Sequence, residues 1–199
     1  MGRMNPRKIA RMNELWKPEV TVAAVVCHAG RYLLVEEETR DGLRLNQPAG
    51  HLEAGESLVA AVVRETLEEA AREFTPAALQ GSYLCTSLSS KTGLPVTYLR
   101  FAFTGSIGEP LPGRTLDTGI VRTLWMSLEE ARASAARHRS PLVLRCIEDH
   151  AAGKPGAPLE LLFTDASVAA FAGGTAREGA AVATGHPTGR ATDRAASTS

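Results

Sequence analysis

Glu65, Glu68 and Glu69 are the residues of this chain best placed to do chemistry. They are spaced i, i+3, i+4. On a helix turning about 100° per residue, their carboxylates share an arc of roughly 100°. Val59, Val63, Leu67, Ala70 and Phe74 fall on the other side. One flank therefore reads as core and the other gathers acid. Like charges at this spacing repel by about a few tenths of a kcal/mol per pair. A divalent cation removes that repulsion, and hard oxygen donors on one rigid face suit Mg²⁺ or Mn²⁺. No imidazole or thiolate stands close enough in sequence to suggest zinc. Gly50 and Gly55, just upstream, allow close backbone approach, so a loop carbonyl there could add a ligand. The competing account is a solvated acidic face, since acidic side chains are mostly exposed.

The surrounding text has to position these acids. The spacing predicts a helix from about Leu58 to Phe74, with Ser57 as its N-cap and Pro76 as its stop. Val20–Cys27 reads as a buried strand, with Arg31–Glu36 pairing back on it as a hairpin. Leu45–Ala49 is short and extended, with Pro48 limiting it to a strand end. Tyr83–Ser87, Val96–Thr104 and Ile120–Met126 read as strands. Leu99, Phe101 and Phe103 fall on one face by alternation. Ser127 opens a helix with Glu130 in the capping-box position, and Ser140-Pro141 opens another that runs to about His150. Leu159–Phe163 reads as a last edge strand. The expected fold class is α/β, a mixed sheet sandwiched between helices.

At 199 residues the chain can bury one full core, and it divides by composition into three zones. Residues 1–17 carry Arg3, Arg7, Lys8, Arg11 and Lys17 against Glu14 alone, a basic arm expected to be flexible. Residues 18–163 hold nearly all the large apolar side chains. Residues 164–199 are rich in Ala, Gly, Thr and Ser and are expected to be a disordered tail. Lys+Arg and Asp+Glu balance at 22 each, and aromatics are 5%, which argues against a nucleic-acid binder. Cys27, Cys85 and Cys146 are widely spaced and read as buried thiols in a reducing compartment. No apolar run approaches a membrane span, so the expected location is cytoplasmic. Glu36, Glu37 and Glu38 read as a solvated strand end, because neighbours on a strand alternate faces.

Gly50, Glu56, Arg64, Glu65, Glu68 and Glu69 together match G-x5-E-x7-R-E-U-x-E-E-x-G-U, the Nudix box, in which U is a bulky apolar residue. Thr66, Ala71 and Arg72 depart from it, and every acid is spared. Segments outside the box resemble NudJ-type Nudix phosphatases: Lys17–Ala23, Asn46–Glu53, Leu99–Phe101 and Arg139–Val143. The resemblance covers about residues 17–163. It implies hydrolysis of a diphosphate linked to another moiety, with Mg²⁺ (Mn²⁺ as a substitute) and an activated water.

By that match, Glu65, Glu68 and Glu69 are metal ligands, with the Gly50 carbonyl as a further candidate. Glu56 and Arg64 are expected to form an ion pair that fixes the loop on the helix. Asp117 is a candidate extra ligand or base, or simply a turn former. Asn46, His51, Lys91, Arg100 and Arg139 are candidate substrate contacts, each with a plain structural or surface role as the alternative. The NudJ likeness implies nucleoside di- and triphosphates, or a small relative such as a pyrimidine diphosphate of thiamine metabolism, with orthophosphate released. Two other readings stand beside it. One is an ADP-ribose or dinucleotide pyrophosphatase. The other is a non-catalytic nucleotide-sensing module that uses the basic arm. Monomer and homodimer are both open.

Overall fold

Ser57 begins the central helix, as its spacing predicts. The computed structural model, which describes residues 16–89 and 92–170, places α1 at Leu58–Ala70, with Ser57 Oγ accepting from the Ala60 N–H at 3.0 Å. The helix stops earlier than Phe74. Ala71 takes up a left-handed conformation (φ 50°) and its N–H caps the Leu67 carbonyl. Phe74 then opens a strand, and Pro76 sits within that strand instead of ending the helix. The strand slips register between Pro76 and Ala78, at an irregularity where a missing N–H does least harm.

Among the described residues, eight strands make two four-stranded sheets. The first runs β5 (Ala49–His51), β1 (Glu19–Val25), β7 (Pro95–Ile107), β6 (Phe74–Leu88), with β1 and β7 parallel and the other pairs antiparallel. The second centres on β3 (Arg31–Thr39), which pairs with β2 (Cys27–His28), β4 (Gly42–Asn46) and β8 (Ile120–Met126). The expected mixed sheet between helices is thus present, in two parts. Asn46 ends one sheet and Ala49 starts the other, with Pro48 between them. Leu159–Leu161 is a 3₁₀ turn and not the edge strand expected there; the nearby pairing is a single bridge from Ala157 to Leu79.

Alternation along β1 and β7 splits the core. Val22, Ala24, Phe101 and Phe103 face α1, where they pack with Ala61, Val62 and Phe74. Val25 and Ala102 face the other way. They meet Leu34, Leu45 and three buried residues of α3 (Pro141–Ala151), namely Val143, Cys146 and Ile147. Each fully buried Val or Ile contributes about 1.5–3 kcal/mol. Between β8 and α3 lies α2 (Leu128–Ala133), with the expected Ser127–Glu130 capping box formed. The last described element, α4 (Ala166–Ala170), is a short exposed helix. Most of the basic arm, the tail from Phe171 onward, and Lys91 lie outside the described residues.

No helix among the described residues is long and apolar enough to cross a membrane. Of the three free cysteines only Cys146 is buried; Cys27 and Cys85 are half-buried, because each sits near the end of a strand that runs out of the core. The triple glutamate is not a solvated end. Glu36 is 3% exposed and is paired with Arg122 (2.7 Å) and Arg137, whose charges let it stay buried. Glu37, on the opposite face, is half-buried, and Glu38 is exposed.

Candidate active site

Helix α1 packs across β5, and Gly50 makes that approach possible. A Cβ on Gly50 would lie 2.1 Å from the Glu65 carboxyl carbon. Any other residue there would push the carboxylate away. Gly50, Glu65 and Glu69 all line one cleft of about 470 Å³.

Arg64 organises the acids. Its Nε and Nη2 donate to Glu56 Oε2 (3.0 Å) and Oε1 (2.7 Å) in a fork. Nη2 also donates to the His51 carbonyl (3.0 Å), and Nη1 to Glu65 Oε1 (2.8 Å) and Glu68 Oε2 (3.1 Å). The Glu56 carboxyl is held below its ordinary range by the Arg64 hydrogen bonds. Burial pushes Glu65 up, and Arg64 opposes that shift only in part.

Glu69 is the most perturbed acid. Burial pushes it up to about 8, helped by the neighbouring charges of Glu65, Glu37 and Asp117, although its Oε2 accepts the Ala49 N–H at 2.8 Å. Glu68 instead faces a second, more open hollow of about 440 Å³ shared with Asp117. The Asp117 N–H donates to the Glu68 carbonyl (2.9 Å), and its own carboxylate accepts from the Thr118 N–H (2.7 Å). The 108–119 loop thereby closes the end of α1: Leu111 N–H meets the Ala71 carbonyl and Arg114 reaches the Leu67 carbonyl.

No three described His, Cys, Asp or Glu side chains stand close enough together to hold a cation as they are. The donor set nevertheless fits a hard dication in kind. All its side chains are carboxylates, they sit on one helix, one of them carries a strongly raised pKa among like charges, and the glycine cradle beside Glu65 has no room for a Cβ.

The other expected contacts are dispersed along the cleft. His51, Asn46, Arg100 and Arg139 all line it. Arg100 is 7% exposed and lies at its floor, where Nη1 donates to Gln47 Oε1 (3.1 Å) and Nη2 to Asn46 Oδ1 (3.4 Å). Arg139 Nε lies 3.6 Å from Glu37 Oε1. Sequence reasoning missed Thr21, Glu37 and Tyr98 as lining residues. Strand register carries the signal for two of them, since β1 and β7 pair Thr21 with Arg100, and Tyr98 lies two residues before Arg100 on the same face.

The NUDIX domain family profile matches residues 17–146. This chain belongs to the NUDIX domain family. Phosphatase NudJ of Escherichia coli K12 is 37% identical over 148 residues, which span 74% of this chain and 92% of the relative. The Shigella flexneri Phosphatase NudJ matches to the same extent. A NUDIX hydrolase structure from Nitrosomonas europaea is 51% identical, with a TM-score of 0.69, covering 75% of this chain and 99% of that one. A MutT protein structure from Methanosarcina mazei, at 21% identity and TM-score 0.53, covers 71% and 100% and shares the fold. The chain is thus a Nudix phosphohydrolase, and its NUDIX relatives account for the α/β architecture.

Proposed function

We propose that this Nudix enzyme is a Mg²⁺-dependent phosphatase of nucleoside di- and triphosphates, or of a related small diphosphate such as a thiamine-pathway pyrimidine diphosphate, and that it releases orthophosphate. The observation that carries this reading is the Glu65–Gly50–Glu69 arrangement at the cleft, with Glu69 pushed up to about 8. The name Phosphatase NudJ on relatives at 37% identity supports the phosphatase branch.

Glu65, Glu68 and Glu69, with the Gly50 carbonyl, would hold the cation. Bound there, Mg²⁺ (or Mn²⁺) supplies positive charge to the diphosphate oxygens and makes water a better nucleophile near neutral pH. Arg64 and Glu56 are positioning residues: the fork fixes the loop after β5, which carries Glu56, against the helix that carries the acids. Phosphoryl transfer needs an in-line water and charge stabilisation more than covalent chemistry. A carboxylate of the cluster takes the water's proton. With Oε2 of Glu69 committed to Ala49, Oε1 is the oxygen left for the cleft. Asp117, tied to Glu68 through its backbone, is the candidate extra acid on the other side of the helix. Arg139, at the cleft, supplies positive charge for phosphate, and the candidate Lys91 lies outside the described residues. The three free thiols fit a reducing compartment, and we place the enzyme in the cytoplasm.

Product analysis tests the reading. GDP and GTP are incubated with enzyme and Mg²⁺, and the products separated. Orthophosphate release from both is expected. Pyrophosphate or nucleoside monophosphate as the only product from the triphosphate contradicts the phosphatase assignment, and binding without turnover favours the sensing module.

A further inference from the structure

Five side-chain polar atoms among the described residues are buried without a hydrogen-bond partner, and three of them belong to residues of this one cleft: Thr21 Oγ1, Glu37 Oε1 and Arg100 Nε. The other two, on Arg72 and Gln80, do not line it. Buried polar atoms are almost always paired, so a local concentration of unpaired ones marks a surface built for something else to complete.

The three are fixed in place. Thr21 and Arg100 are register partners on adjacent parallel strands, and each is 7% exposed. Both Nη groups of Arg100 are occupied by Asn46 and Gln47, and Gln47 Nε2 is itself tied to the Val143 carbonyl at 2.8 Å. With Nη1 and Nη2 both held, Nε is the nitrogen of this guanidinium that has no partner at all. Glu37 Oε1 has Arg139 at 3.6 Å, an ion pair too long to be a hydrogen bond.

We propose that Thr21, Glu37 and Arg100 recognise the nitrogen heterocycle of the substrate, through a ring edge that carries an acceptor beside an N–H donor. This deepens the diphosphate-hydrolase reading and rests on it. A guanidinium N–H only donates and an ionised carboxylate only accepts, while a threonine hydroxyl does either. The complementary ligand edge is therefore an amide or amidine, as in a purine or pyrimidine. A phosphate is acceptor-only and anionic, so Glu37 would repel it. Tyr98, Leu88 and Leu142 line the same cleft and suit the flat apolar face of a ring better than a hydroxyl-rich sugar.

The test compares GDP and CDP with ribose 5-diphosphate, which keeps the sugar and diphosphate and lacks the heterocycle. The readout is the ratio of kcat/KM values, nucleoside over ribose, in wild type, Glu37→Ala and the near-isosteric Thr21→Val. A fall in that ratio of at least about tenfold in Glu37→Ala, with a smaller fall of the same sign in Thr21→Val, is expected. Equal losses on both substrates, or a ratio held within about twofold, overturn the proposal. If wild type hydrolyses none of the three compounds, the nucleoside-diphosphate reading of the substrate fails instead. Calorimetry with guanosine and cytidine then still decides the heterocycle site. Binding by wild type that is lost in both variants supports it, and no binding by wild type overturns it.

Discussion

Arg64 holds Glu56 with two hydrogen bonds, Nε to Oε2 at 3.0 Å and Nη2 to Oε1 at 2.7 Å, while its remaining nitrogen reaches two glutamates of its own helix. One guanidinium thus ties the loop, the His51 carbonyl and the acidic face together. A lysine offers a point charge and no fork. Arg64→Lys should cost about 1.5–3 kcal/mol of stability, the range for hydrogen bonds to charged groups. Urea denaturation of the two proteins measures it. Unchanged midpoints would show that the fork is a solvated contact only.

Gly50→Ala separates the site from the fold. The added Cβ meets the flexible end of Glu65 at 2.1 Å, so the carboxylate can swing away while the backbone keeps its place. Turnover should drop by at least about 10-fold, as when support of a metal ligand is lost, and melting should change little. Retained turnover would mean that the position of Glu65 does not matter.

Glu69 makes stability depend on pH. Its carboxyl titrates at about 8 in the folded chain against an ordinary value of 4.5. Between these values the folded protein binds a proton that the unfolded chain has released. The contribution of Glu69 to stability is therefore most favourable below the lower value, is lost as pH rises, and levels off above the upper one. Glu65 and Glu37, also raised by burial, act in the same direction, so the difference between wild type and Glu69→Gln isolates one residue. In chelator, the stability of wild type relative to Glu69→Gln should decline as pH rises through that window. Added Mg²⁺ favours the ionised form and should restore wild type most at the alkaline end. A difference that stays flat or grows with pH contradicts the burial account.

Local features of the sequence carried far. Ser57 and the Ser140-Pro141 start are determined within one or two helical turns, and each caps its helix as predicted, with the i, i+3, i+4 acids on α1. The misreadings came from tertiary context. Pro76 reads as a helix stop, but Ala71 had already ended α1 by turning left-handed, with Leu111 on its carbonyl from a distant loop. Glu36 reads as solvated because its two arginines are 86 and 101 residues away. The floor of the cleft was least legible. Thr21, Glu37 and Arg100 come from three strands, and only the pairing of β1 with β7 and the fold of β3 over the cleft bring them together.

The acidic cluster itself is tested most directly by phosphate release from GDP with wild type and Glu69→Gln, each titrated with Mg²⁺ from chelator to millimolar levels. Wild-type release should rise from the blank with the cation. Glu69→Gln should stay at least about 100-fold lower at saturating cation, beyond what loss of an outer contact costs. Release by wild type that is undiminished in chelator, or equal release by the two proteins, would contradict a carboxylate-held cation as the centre of the chemistry.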